Sequence, residues 1–251
     1  MNTLKQNDYG CLCTEMYEIL HAKAPQDELA FYLSYAKRDG KILEPLCGSG
    51  RFLIPFMEKG YTVSGIDASG EMLAKLKRKA PAAHVIHADI AAYDFQERYD
   101  YIFIPSSSVS LFTDSSVCKT ILHKLKNLLL PKGRLVFSVD TVSERCPDDS
   151  EYKTAASVKT EKGFDLILRS RNYYDERTQT QFSPGVYELY RGSVLLKREC
   201  MDFQTHLYKY GEMERILKEI GFTAVSVYSS FSKEFAANAR CKTFLFECIL
   251  E

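Results

Sequence analysis

Short apolar runs alternate with amphipathic stretches between residues 41 and 139 of the chain. Apolar runs bounded by turn signals predict buried strands, and apolar residues spaced three or four apart predict helices. The strands are predicted at 41–46, 61–66, 83–87, 99–104 and 134–139, and the helices between them at 49–59, 69–79 and 114–130. This alternation predicts a doubly wound, mostly parallel α/β sheet with helices on both faces.

The ends and faces of these helices are also predicted from the pattern. The helix at 69–79 begins at Ser69, whose hydroxyl can cap it. A turn over Pro131, Lys132 and Gly133 separates the helix at 114–130 from the strand at 134–139. The inward face of that helix is predicted to consist of Val117, Ile121, Leu122, Leu125, Leu128 and Leu129.

The pattern changes after residue 151, where strand-like segments are separated by turns. Residues 164–174 alternate for much of their length, and residues 186–190 and 194–198 flank a turn as a hairpin. We therefore expect an inserted antiparallel β platform. A helix at 211–220 and strands at 222–228 and 243–249 follow, and these strands complete a seven-stranded sheet as an antiparallel edge pair. Residues 14–37 are predicted to be helical with a break at Pro25.

Three regions follow from these patterns. Residues 1–40 are expected to form N-terminal helices that act as a lid. Residues 41–151 and 208–251 are expected to form the ligand-binding α/β domain. Residues 152–207 are expected to form an inserted substrate or lid region, since such segments often exclude water from a reaction.

Composition narrows the class of protein. The 251 residues carry 33 Lys+Arg and 33 Asp+Glu, so the formal net charge is zero, and a nucleic-acid partner is not expected. The sequence has neither a long apolar stretch nor a secretory signal. The 8 cysteines are scattered, which favours free thiols in a reducing compartment over a metal site. We expect a cytoplasmic protein without a metal or a membrane span.

The segment "EPLCGSGRF" at 44–52 follows the first predicted strand and suggests a loop that approaches a ligand. A phosphate-binding P-loop would need a Gly-Lys-Ser/Thr ending, which is absent. A dinucleotide loop would need a third glycine, and the position that follows Gly48 and Gly50 in that spacing is Leu53. S-adenosylmethionine has no phosphate, and small loop residues with acids after the second and third strands suit it.

Five segments in this order and spacing resemble the class I S-adenosylmethionine-dependent methyltransferases: "ILEPLCGSGRF", "VSGIDASGEML", "HADI", "YDYIFIPSSS" and "LLPKGRLVFSVD". The resemblance implies a Rossmann-like methyltransferase fold and S-adenosyl-L-methionine as cofactor. The chain departs from the family at Leu46, where the first glycine of the motif usually stands. The cofactor-binding positions implied are Glu44, Gly48, Ser49, Gly50, Arg51, Asp67, Ala68, Met72, Asp89, Ile90 and Ser106.

The methyl acceptor is less defined by the sequence. In-line transfer from a sulfonium needs alignment and exclusion of water, and a neutral amine needs no strong base, whereas a hydroxyl does. Tyrosines are frequent in the N-terminal and inserted regions, and the catalytic candidates there are Tyr17, Tyr173 and His206. The overall plan resembles glycine/sarcosine and amino-sugar N-methyltransferases.

We therefore predict transfer of a methyl group to an amine or hydroxyl of a small molecule, by a monomer or a homodimer. The segment after the fourth strand, Ile104-Pro105-Ser106-Ser107, lacks the Asn/Asp-Pro-Pro-aromatic motif that is typical of DNA amine methyltransferases. An NAD-dependent oxidoreductase and a non-catalytic protein that keeps the methyltransferase fold remain alternatives.

Overall fold

The computed structural model describes residues 6–236, 238 and 240–250. The chain divides into two compact units. The platform unit consists of Met1–Ala22 and Arg145–His206, and the sheet unit consists of Lys23–Glu144 and Leu207–Glu251. The expected lid segment 1–40 is thus shared between the units, and its function as a lid stays a prediction.

The sheet unit is built on one seven-stranded sheet with the order β13-β14-β5-β4-β1-β2-β3. Strands β1 to β5 are parallel to one another, whereas β14 pairs antiparallel with both β5 and β13. The predicted mostly parallel sheet with an antiparallel edge pair is confirmed. The strands are β1 (Lys41–Pro45), β2 (Thr62–Asp67), β3 (His84–His87), β4 (Tyr99–Ile104), β5 (Leu129–Asp140), β13 (Ala224–Tyr228) and β14 (Thr243–Ile249).

Five helices of this unit pack on the sheet or connect its strands. The hydroxyl of Ser69 accepts a hydrogen bond from the Met72 N–H, which confirms the predicted N-cap. Pro25 immediately precedes the second helix of the chain, at the predicted break. The helices are α2 (Gln26–Leu33), α3 (Leu53–Glu58), α4 (Gly70–Lys79), α5 (Ser115–Asn127) and α6 (Glu212–Glu219).

Three predicted boundaries are wrong. Helix α3 begins at Leu53 rather than at residue 49, because the preceding loop includes Gly50 with a φ of 83°. Helix α5 ends at Asn127, and the Leu128 carbonyl accepts from the Tyr99 N–H. The predicted turn at 131–133 instead lies within β5, with Lys132 at a φ of 63°.

One predicted core position is also wrong. Val117 is 44% exposed, because it lies in the first turn of α5, at the solvent side of the helix. The remaining predicted inward residues of that stretch are buried or partly buried against the sheet.

The platform unit contains α1 (Cys11–Leu20) and two antiparallel sheets, which confirms the predicted antiparallel platform. Its predicted hairpin is confirmed, but the alternating run at 164–174 is divided between two sheets. The four-stranded sheet contains β6 (Lys153–Lys159), β7 (Asp165–Ser170), β10 (Gly185–Arg191) and β11 (Val194–Met201). The three-stranded sheet contains β8 (Tyr173–Asp175), β9 (Thr180–Phe182) and β12 (Gln204–His206). Among the helices of the described residues, none combines the length and hydropathy that a membrane span requires.

The middle of β2 packs closely against the loop that follows β1. A Cβ on Gly65 would lie 2.6 Å from the Cys47 Sγ and 2.7 Å from the Leu53 Cδ1. Both distances are shorter than an ordinary contact. The positions of the loop and of the start of α3 therefore require that residue 65 has no side chain.

Gly65→Ala should therefore destabilise the protein by about 1–3 kcal/mol through overpacking. Thermal unfolding would measure this as a drop of about 2–4 °C per kcal/mol. In a Cys47→Ala background, which removes the nearest atom, the loss should be smaller. A Gly65→Ala variant as stable as the wild type would contradict this packing.

Candidate active site

The carboxyl ends of β1, β2, β4 and β5 meet at one edge of the sheet. In open α/β sheets, ligands bind at this edge, near the point where the strand order reverses. Here the order reverses at β1, which lies between β2 and β4. Glu44, Asp67 and Ser106 lie at or just beyond the ends of β1, β2 and β4 respectively. The fold therefore brings these three predicted residues to one edge.

The carboxylate of Asp67 holds the glycine loop against β2. Its Oδ2 accepts from the Gly48 N–H at an N···O distance of 2.7 Å, and its Oδ1 accepts from the Ser69 N–H at 2.8 Å. Burial raises the pKa of Asp67, while these two hydrogen bonds and the nearby His87 lower it. Because a carboxylate oxygen can accept more than one hydrogen bond, Asp67 can still accept from ligand hydroxyls.

The two loop glycines have different surroundings. Gly48 has a φ of 51°, and a Cβ there would meet nothing within 4 Å, so the space beside it is open. Gly50 has a φ of 83°, but its Cβ would lie 2.8 Å from the Leu76 Cγ in α4. Gly50 is therefore needed for packing within the protein, whereas Gly48 faces open space. Leu46, where the family usually has glycine, also adopts a positive φ, of 56°.

Two buried polar atoms in this region have no hydrogen-bond partner among the described residues. They are the Oε2 of Glu44 and the Oγ of Ser49, which belong to residues only 2% and 1% exposed. Glu44 accepts one hydrogen bond from the Leu53 N–H, and burial together with the charge of Asp67 raises its pKa well above its usual range. An unsatisfied buried polar atom is costly, so these atoms suit a polar ligand.

A third acid that was not predicted from the sequence also reaches this edge. Glu28 of α2 is 6% exposed, and its Oε1 accepts from the Ser106 N–H at 2.7 Å. Burial raises the pKa of Glu28, and the Arg51 guanidinium lowers it. Glu28 belongs to no motif, and the adjacent acid in the same helix, Asp27, is exposed. The sequence therefore gives no sign that Glu28 reaches the site.

The segment after β4 is held in an unusual backbone conformation. Ser106 and Ser107 have φ values of 55° and 53°, which residues other than glycine rarely adopt. The Ser107 N–H donates to the Ser138 Oγ at 2.8 Å, and the Tyr32 hydroxyl lies 3.3 Å from the same oxygen. Such backbone strain persists only where surrounding contacts fix it, and it is frequent at functional sites.

The remaining predicted cofactor residues have identifiable contacts within the protein. Asp89 is exposed, and its Oδ1 accepts from the Ala91 N–H at 2.8 Å. Met72 is 4% exposed and packs in the core. The others are Ile90, which is buried, Ala68, whose carbonyl lies 3.1 Å from the His87 Nε2, and Arg51, whose Nε donates to the Lys23 carbonyl at 3.1 Å. Their contacts to a cofactor stay predictions.

All three catalytic candidates lie in the platform unit. Tyr17 packs edge-on to Tyr9, with ring centroids 6.4 Å apart. Tyr173 stacks on Phe182 at 4.7 Å, and the Nε2 of His206 lies 3.2 Å from the Gln179 side-chain nitrogen. These are contacts that packing residues also make, so a catalytic role for any of the three stays a prediction.

Comparison with known proteins finds methyltransferases of similar sequence and fold. Residues 42–133 match the model of a methyltransferase domain. The glycine/sarcosine N-methyltransferase of Aphanothece halophytica is 24% identical over 249 residues, which cover 92% of this chain and 85% of that protein. A methyltransferase structure from Clostridium acetobutylicum, described as S-adenosylmethionine-dependent, superposes with a TM-score of 0.76 at 16% identity, covering 94% of this chain and 96% of that chain. A sugar N-methyltransferase structure from Streptoalloteichus sp. gives 0.74 at 17% identity, covering 100% and 99%.

The fold matches that of solved Rossmann-like methyltransferases, and residues 42–133, which include the glycine loop, match a methyltransferase domain. The chain is thus similar to S-adenosylmethionine-dependent methyltransferases, as its sequence motifs predict. The comparisons give no support to the oxidoreductase alternative.

Asp67→Asn should weaken binding of S-adenosylhomocysteine about tenfold to a hundredfold, since a hydrogen bond to a charged group contributes roughly 1.5–3 kcal/mol. Isothermal titration calorimetry would measure the change. The matched control is Glu97→Gln, which removes an exposed carboxylate that pairs with Lys41 at 3.2 Å. A folded Asp67→Asn protein with wild-type affinity would contradict the assignment of Asp67.

Proposed function

We propose that the sheet unit binds S-adenosylmethionine at the carboxyl edge of its sheet and that the chain methylates a small molecule carrying an amine or a hydroxyl. The observation that supports this most strongly is a group of three acids near the glycine loop, the buried Glu28 and Glu44 and the partly buried Asp67. Burial raises the pKa of each of them, so the free site favours a ligand that brings positive charge.

The residues that would hold the cofactor have separate roles. Asp67 would accept from ribose hydroxyls, and the open side of Gly48 would let the ligand approach the backbone. The unpartnered oxygens of Glu44 and Ser49 would receive polar groups of the ligand or of water that it orders. The bound cofactor would supply a methyl group on positively charged sulfur, and the protein would align the acceptor and exclude water.

The acceptor is proposed to be a small molecule rather than a nucleic acid. The balanced charge of the chain supports this, as do relatives named for methyl transfer to glycine, sarcosine and sugar nitrogens. We also propose a cytoplasmic enzyme that acts as a monomer or homodimer. A role for the platform unit in acceptor binding stays a prediction.

Thermal unfolding with S-adenosylhomocysteine, NAD and NADP in separate samples would test the cofactor. A ligand at about 100 times its Kd stabilises by roughly 2.7 kcal/mol, which corresponds to a shift of about 5–10 °C for a chain of this size. We expect this shift with S-adenosylhomocysteine alone.

Transfer would then be followed by mass spectrometry with S-adenosylmethionine and glycine, sarcosine or an amino sugar as probe acceptors. A shift with NAD alone, or no shift with S-adenosylhomocysteine, would contradict the proposed function.

A further inference from the structure

Asp140 is a fourth acid at the same edge of the sheet, and the proposed cofactor contacts do not use it. It is the last residue of β5, which lies beside β4, so it is close to the strained serines after β4. The Ser107 side chain hydrogen-bonds the Asp140 carboxyl. The Asp140 N–H donates to the Ser110 Oγ at 2.9 Å, and its carbonyl accepts from the Tyr208 N–H at 2.9 Å. The main chain of Asp140 is therefore fixed on both sides.

Within the part of the chain that the structure describes, this carboxyl has a negative neighbour but no cation that pairs with it. Among the described residues, no lysine or arginine forms an ion pair with Asp140. Glu144 follows it on the same segment and pairs with Lys242 at 3.1 Å, and the residue opposite Asp140 on β14 is the neutral Thr243. Burial and the charge of Glu144 raise the pKa of Asp140 to about 6, although the Ser107 hydrogen bond lowers it.

We propose that Asp140 receives the amino group of the methyl acceptor, and that the transfer is therefore to nitrogen. This inference rests on the proposed function, because it takes the neighbouring edge as the cofactor site. The nitrogen lone pair forms the bond to the methyl carbon, and the electron pair of the broken carbon–sulfur bond stays on sulfur. The nitrogen becomes positively charged, and the Asp140 carboxylate accepts a hydrogen bond from its N–H. The methylated product keeps this proton as an ammonium ion or loses it to water.

The chemistry of this carboxyl favours an amine over a hydroxyl. With a pKa of about 6 it is ionised at neutral pH, but it is too weak a base to deprotonate an ordinary alcohol. A neutral amine needs no such deprotonation before it attacks. The positive charge that develops on nitrogen is then stabilised by the nearby carboxylate of Asp140.

The inference can be tested without knowing the acceptor. Sinefungin resembles S-adenosylhomocysteine, but a carbon bearing an amino group replaces the sulfur, so its positive charge stands where the transferred methyl group would be. Calorimetry would give the Kd of both ligands for the wild type, Asp140→Asn and the control Glu144→Gln. We expect Asp140→Asn to weaken sinefungin binding about tenfold and S-adenosylhomocysteine binding less than about twofold. Glu144→Gln should leave the ratio of the two Kd values within about twofold.

The same ratio should depend on pH in a defined direction. As the pH falls through about 6, Asp140 takes up a proton, so the wild type should lose its preference for sinefungin. The ratio for Asp140→Asn should stay constant over this range, because the substituted side chain does not titrate.

The outcomes separate the two proposals. If Asp140→Asn weakens both ligands equally, or if the wild-type ratio does not change with pH, Asp140 does not face the transferred group, and the inference is wrong while the cofactor assignment stands. If the wild type binds neither ligand, the proposed function is wrong, and this inference falls with it. If Asp140→Asn fails to fold, the same two-ligand comparison with Asp140→Ser decides the question.

Discussion

The hydrogen bonds of the Asp67 carboxylate are the constraint on which the site depends. One oxygen holds the Gly48 N–H of the loop after β1, and the other holds the Ser69 N–H at the start of α4. A single side chain at the end of β2 thus joins two loops across neighbouring parallel strands. The same loop is also held by the close contact of Gly65 with Cys47 and by the packing of Gly50 on Leu76. Because the loop has no freedom to adjust, the open space beside Gly48 is already formed in the free protein.

A second property of the site follows from burial. Glu28, Glu44, Asp67 and Asp140 come from four different elements, and burial raises the pKa of each. Desolvated carboxyls of this kind destabilise the free protein, and a cationic ligand offsets that cost when it binds. In the proposed transfer to an amine, the positive charge would move from sulfur to the acceptor nitrogen. Acids placed on both the cofactor side and the β5 side of this edge can interact with that charge throughout the reaction.

The sequence was sufficient for the parts of the molecule that depend on local pattern. Parallel strands are buried on both faces, so they are recognisable as apolar runs, and the acids at the ends of β1 and β2 lie at the predicted edge. Contacts between distant segments were not predictable. Glu28 reaches Ser106 across 78 residues, and Gly50 is required by Leu76 rather than by a ligand. The turn expected at 131–133 lies within β5, at an irregularity in its pairing with β4, and the Lys132 N–H and Gly133 carbonyl are hydrogen-bonded to Leu250. Asp140 is the last residue of the segment "LLPKGRLVFSVD", but only the structure shows its contact with Ser107.

A crystal structure of the protein with S-adenosylhomocysteine would test the central claim most directly. The account predicts that the ligand lies at the carboxyl edge of the sheet, with its ribose hydroxyls within hydrogen-bond distance of the Asp67 carboxylate and its sulfur on the side of Ser106 and Asp140. Binding at another place, or a ribose that does not contact Asp67, would contradict it.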